Sequence, residues 1–280
     1  MDKEKEKIVV PWDFTVVAEN ALLHAVKIAR MVEADVVLLH IVARGIKTGE
    51  YKKKEDKLKA IVAEASNKYD LTFEYQVIPG TIFTAIAEYV NDNDPSLVIM
   101  GTHGLKGMQK LTGSWALKVI IGSKIPFIVV QEAPKDMEKY HDLVFPVDFR
   151  SENKEKLKMA IFMGKYFESK VHILKAVTND KSLHKKTNIN LNFAIKYLIQ
   201  NNIEYKIHEL PKGSLAKQTV EYAEKLKADL VLIMTTKNIN MADYMMGAQE
   251  QYIIANSSGI PVCCMNPRSA FTKVSQFMYG

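Results

Sequence analysis

Short apolar runs alternate with longer amphipathic stretches along the whole chain, and the alternation runs twice. In the first half, strand-like runs fall at 7–13, 35–42, 72–78, 96–101 and 126–131. Between them Val17, Ala21, Leu22, Ala25, Ile28 and Ala29 recur at helical spacing, as do Leu58, Ile61, Val62 and Ala65. A third helix is expected from about Thr81 to Asn91, opened by Pro79-Gly80 and stopped before Asp94-Pro95. A fourth starts at Gly113-Ser114 and stops at Gly122-Ser123, ahead of Pro126. The second half predicts strands at 142–148, 170–177, 203–209, 229–234 and 260–265, with helices at 151–166, 188–201, 214–227 and 247–257. Strands alternating with helices imply right-handed βαβ units and a parallel sheet. The near-continuous apolar runs Val36–Leu39 and Leu97–Met100 suit a sheet covered on both faces.

The two halves share motifs as well as periodicity. Ile8-Val-Val-Pro-Trp-Asp13-Phe14 returns 135 positions later as Leu143-Val-Phe-Pro-Val-Asp148-Phe149. Leu97-Val-Ile-Met100 leads into Gly101-Thr-His-Gly104 and then Gly113-Ser114. Set against it at an offset of 134, Leu232-Ile-Met234 leads into Thr235-Thr-Lys-Asn238 and then Gly247-Ala248, with eight residues before the last glycine in both copies. In that alignment the second copy lacks the two leading glycines. The expected fold is α/β: two tandem five-stranded parallel doubly wound domains, at 1–133 and 142–268, around a short polar linker at 132–141. The last strands, Phe127–Val130 and Pro261–Cys264, are edge strands expected to pair with each other as an internal pseudo-dimer.

Composition narrows the class. The chain has 280 residues, 48% of them apolar and 25% charged, which suits two ordinary globular domains. No apolar run approaches the roughly 20 residues of a membrane span, and the charged start, Met1–Lys7, does not resemble a secretory signal. The only cysteines, Cys263 and Cys264, are adjacent within an apolar run, so they read as buried strand thiols in a reducing cytoplasm. The net charge of +6 sits in the second half, where 19 basic residues face 13 acidic ones against 19 and 19 in the first. Those lysines are scattered, with no stripe of Arg and aromatics, which argues against a nucleic-acid partner.

In a doubly wound sheet, ligands bind at the carboxyl ends of the strands where strand order reverses. Asp13, Gly101–Gly104 and Gly113-Ser114 would converge there. Glycines let backbone approach an anion, and a helix amino terminus presents free N–H groups to phosphate. The Ser114 hydroxyl and Lys106 or Lys110 would add to such a site, and Asp13 suits the hydroxyl or amino groups of a sugar or base.

Pro-x-Asp-Phe-Thr at the first strand, then Met-Gly-Thr-His-Gly, then Gly-Ser before a helix, resembles the universal stress protein family in a tandem form. The resemblance implies strand order 3-2-1-4-5, pairing through the last strands, and membership of one of two groups, ATP-binding or non-binding. Carried over, the binding signature selects Gly101, Gly104, Gly113 and Ser114, with Asp13 at the adenine or ribose end and the Val42 backbone beside the base. Pro11, Trp12, His103 and Trp115 flank that site in sequence. The ligand implied is ATP or another adenine nucleotide, with or without Mg²⁺, and no cofactor is needed for the fold. The spacing departs from the signature: eight residues separate Gly104 from Gly113 where the binding pattern has nine.

His103 reads as a loop histidine bonded to backbone and His40 as a satisfied core or strand-end histidine, and no histidine pair has metal-ligand spacing. Walker, Gly-x-Gly-x-x-Gly and His-x-Gly-His patterns are absent. The expectation is a cytoplasmic stress-response regulator or sensor, not an enzyme, with a nucleotide site in the first domain and a degenerate second domain. A structural or protein-interaction module and a slow ATP hydrolase are the alternatives. A homodimer of whole chains and an unidentified protein partner are open associations.

Overall fold

The computed structural model describes residues 5–102, 113–150, 153–235 and 248–266, and the side chains of 113–115, 153–155 and 248 fall outside that description. The first half runs β1 (Lys7–Pro11), α1 (Val16–Val32), β2 (Asp35–Val42), α2 (Thr48–Tyr69), β3 (Phe73–Pro79), α3 (Ile82–Asn93), β4 (Leu97–Gly101), α4 (Gly113–Ile121) and β5 (Phe127–Val130). The second runs β6 (Asp142–Val147), α5 (Asn153–Phe167), β7 (Lys170–Lys175), α6 (Lys181–Gln200), β8 (Tyr205–Glu209), α7 (Leu215–Leu226), β9 (Leu230–Met234), α8 (Ala248–Ile254) and β10 (Val262–Met265). Helix α6 starts earlier than its apolar periodicity suggests, because the Asp180 carboxylate accepts hydrogen bonds from the Ser182 and Leu183 N–H groups and opens a polar first turn.

Each half has the order 3-2-1-4-5 with parallel neighbours, as β3-β2-β1-β4-β5 and β8-β7-β6-β9-β10. Strands β5 and β10 then pair antiparallel, Val129 opposite Val262, and fuse the halves into one ten-stranded sheet. Alternate strand residues serve opposite faces. Ile8, Val10 and Trp12 join the core under α1, α2, α5 and α6, while Val9, Val98 and Val129 join the core under α3, α4, α7 and α8.

Strand pairing corrects the alignment of the two halves. Ile8 pairs with Leu97, and its counterpart Leu143 pairs with Leu230, so β4 and β9 are offset by 133 residues, not 134. Met100 and Met234 cannot be equivalent, because they belong to the cores on opposite faces of the sheet. Ile233 stands in the place of Met100 and Met234 in the place of Gly101. Thr102 and Thr235 are then true counterparts, and their N–H groups donate alike to Val130 and Met265. The offset of 133 also holds for α3 and α7, which start at Ile82 and Leu215. The end of α4 matches the end of α8 at the same offset, Ile121 with Ile254, so each half has the same number of residues from the strand to that point. Asn238 and Gly247 lie outside the described residues.

The linker is a clasp. Tyr140 is fully buried, edge-on to Phe167 at 5.3 Å, and its hydroxyl lies 2.7 Å from His24 Nδ1. Lys27 reaches from α1 to donate to the carbonyls of Asp136 and Lys139 at 2.7 and 2.6 Å.

Candidate functional site

Proline at the end of β1 and the Asp13–Thr15 turn set the rim of a crevice. Phe14 takes a left-handed φ of 65°, which turns the chain sharply out of the strand. Thr15 caps α1, accepting from the Ala18 N–H, and both its own N–H and its hydroxyl contact Asp13 Oδ1. The turn thereby fixes the exposed Asp13 carboxylate at the carboxyl end of β1.

Pro11, Trp12 and Asp13 from β1 and its turn meet Leu39, His40 and Ile41 of β2 and Met100, Gly101 and Thr102 of β4 around this crevice. Ile82 and Ile86 of α3 and Ala116 and Val119 of α4 close the side. Counted with its open mouth, the crevice spans about 630 Å³. Among the described residues the lining is mostly apolar, with His40 and Thr102 as buried polar members and Asp13 exposed. The amino end of α4, Gly113 and Ser114, belongs to the helix that forms one wall.

Of the residues selected from sequence, Pro11, Trp12, Asp13 and Gly101 come together here. Val42 does not line the crevice, and its carbonyl accepts from the Gly80 N–H at 2.8 Å. His103 and Gly104 lie outside the described residues, as do the side chains of Ser114 and Trp115. His40 is buried with Nδ1 2.7 Å from the Trp12 carbonyl oxygen and its ring edge-on to Phe14 at 4.7 Å. Burial lowers its pKa despite that bond. Gly101 has a packing reason of its own: a Cβ there would stand 2.2 Å from the Val17 carbonyl oxygen in α1. Among the described residues no three His, Cys, Asp or Glu side chains are placed to hold a metal.

The matching crevice of the second half is plugged. Arg150 stands where Thr15 does, and its N–H donates to Asp148 Oδ1 at 3.0 Å as the Thr15 N–H does to Asp13 at 3.1 Å. Its guanidinium then turns inward, with Nε 2.8 Å from Asp148 Oδ2 and Nη1 3.0 Å from Glu250 Oε1. Burial opposes the Arg150 charge, but the two carboxylates outweigh it and raise the pKa. Lys156 lies beneath, fully buried, its ammonium donating to the Pro146 carbonyl and sitting 4.6 Å from the Phe145 ring centre. Burial pulls its pKa from 10.5 down to about 7. Sequence reasoning missed this cluster because Arg150, Lys156 and Glu250 share no spacing. The one local signal was arginine in place of the capping threonine.

In a doubly wound α/β protein, the crevice at the strand-order switch point is where ligands bind. Residues 5–131, the first half of the chain, match the universal stress protein family. A universal stress protein of Methanocaldococcus jannaschii is 28% identical over 145 residues, which span 47% of this chain and 85% of that protein. The crystal structure of a universal stress protein from Archaeoglobus fulgidus superposes with a TM-score of 0.74 at 16% identity, covering 95% of this chain and all of that one. A putative universal stress protein from Pseudomonas aeruginosa gives 0.64 at 15% identity, covering 94% of each. At these identities the two structures speak for the fold alone. Among the described residues no helix is long and apolar enough to cross a membrane.

Proposed function

We propose that the first half binds one adenine nucleotide, ATP or a relative, and that the chain works as a nucleotide-responsive stress protein, not as an enzyme. The observation that carries this reading is the contrast between two equivalent crevices. One is open with Asp13 at its rim, and the other is filled by Arg150, Glu250 and Lys156. The apolar walls from Leu39, Ile82, Ile86 and Met100 fit a base, and the second oxygen of Asp13 fits a ribose hydroxyl. The amino end of α4 offers the phosphates, and any Mg²⁺ they carry, a favourable helix terminus.

Titration calorimetry of the whole chain with ATP tests it. One saturable site per chain is expected, weakened about tenfold, or about 1.4 kcal/mol, by Asp13→Ala. No saturable heat at millimolar ATP overturns the reading. A second reading, an interaction module without nucleotide, is favoured by the packing reason for Gly101, which leaves that glycine needing no ligand to explain it.

A further inference from the structure

Three neighbouring strands of the second half carry a polar diagonal across one face of the sheet. Val144 pairs with His172 and Leu174 with His208, so Asp142 of β6, His172 of β7 and His208 of β8 step across the strands on the same face. Tyr222 of α7 packs down on that face. By strand pairing and helix start, the same positions in the first half are Lys7, Val37, Gln76 and Tyr89. The fold accommodates a valine where His172 stands, so packing alone does not call for either histidine.

Asp142 fixes the tautomer of His172. Its Oδ1 lies 2.7 Å from His172 Nε2, and a carboxylate accepts, so Nε2 carries the proton and Nδ1 presents a lone pair. His172 is buried, and among the described residues the contacts of that lone pair are long: 3.3 Å to His208 Nε2 and 3.3 Å to the Tyr222 hydroxyl. The hydroxyl lies 2.8 Å from His208 Nε2 and closes a triangle. A tetrahedral ion with ligands about 2.0–2.1 Å away holds its ligand atoms about 3.3–3.4 Å apart. Two edges of the triangle have that length already, and the third lengthens once the hydroxyl no longer bonds to the imidazole. Asp142 holds the far nitrogen of His172 and so stands behind the triangle, not in it.

Burial, with His172 and Lys206 nearby, holds the His208 pKa below the ordinary histidine value and keeps the ring in its neutral, ligating form. Burial and the Asp142 carboxylate raise the Tyr222 pKa, so an ion that binds the oxygen must release the phenol proton to water.

We propose that His172, His208 and Tyr222 bind a divalent late transition ion, Zn²⁺ or Cu²⁺, with Asp142 as the carboxylate that orients the His172 ring. Two imidazoles and one oxygen suit these ions and not Mg²⁺ or Ca²⁺, which take oxygen ligands. His208 and Tyr222 are half-buried, so water can take the fourth position. The site belongs to the second half and does not depend on nucleotide binding in the first.

The test is a Zn²⁺ titration of the whole chain at about pH 7.5, above the ordinary histidine range, read in the long-range imidazole nitrogen-15 spectrum. Without metal, His172 should carry its proton on Nε2. One equivalent of Zn²⁺ should move His172 Nδ1 and His208 Nε2 together, and Mg²⁺ should move neither. Calorimetry should show one such site, weakened at least about tenfold by His208→Gln, by Tyr222→Phe and, through ring orientation, by Asp142→Asn. His208→Gln installs the side chain that the first half carries at this position, and Tyr222→Phe keeps the ring, so both variants should fold. A titration that does not saturate overturns the proposal. So does Zn²⁺ that leaves the two ring nitrogens unmoved, an affinity unchanged in any of the three variants, or a metal-free His172 protonated on Nδ1.

Discussion

A methyl group at position 101 has nowhere to go, since the Val17 carbonyl oxygen, 2.2 Å from where it would sit, is main chain and cannot rotate away. Gly101→Ala should therefore destabilise the nucleotide-free protein by about 1–3 kcal/mol, read as a lower urea midpoint. A glycine kept only for phosphate would leave that midpoint unchanged. Lys156 gives the opposite expectation. Its amine is buried in a site that lowers its pKa to about 7, so at neutral pH its environment resists the charge. Lys156→Met should stabilise the fold by about 1–4 kcal/mol in the same measurement. The place of Asp13 at the crevice was legible because a carboxylate at a strand end beside a capping threonine is a local pattern. The Arg150–Glu250 pair joins residues 100 positions apart and was not legible.

At the scale of elements, periodicity marked every strand and helix, and the errors follow from what periodicity ignores. The Lys-rich opening of α6 carries little apolar signal, and its start was set by Asp180. The offset between β4 and β9 was misjudged because Leu-Val-Leu-Ile-Met offers two nearly equal matches to Leu-Val-Ile-Met. Hydrogen bonds with β6 and β10, which no local pattern records, choose between them. The gap between α1 and α2 was equally hidden, since both helices have apolar stripes and only their separation leaves a cavity between them.

At the scale of the molecule, the linker makes folding of the two halves sensitive to acid. Burial lowers the His24 pKa from 6.5 to about 4 where its ring faces the Tyr140 hydroxyl. The folded chain holds this histidine neutral while the unfolded chain protonates it below about pH 6.5, so the unfolded state binds the extra proton between pH 6.5 and 4. Stability should fall as pH drops through that window, by about 3 kcal/mol in total from this group. His24→Gln should flatten the corresponding slope of urea midpoint against pH.

The β5–β10 seam has one more consequence. Two identical subunits joined at such a seam would present identical crevices and could separate on dilution. Here one polypeptide fixes an open crevice and a plugged one in a one-to-one ratio at any concentration. The plugged half can then diverge freely, because no mutation in it is copied into the other, and the asymmetry is inherited as a single gene product.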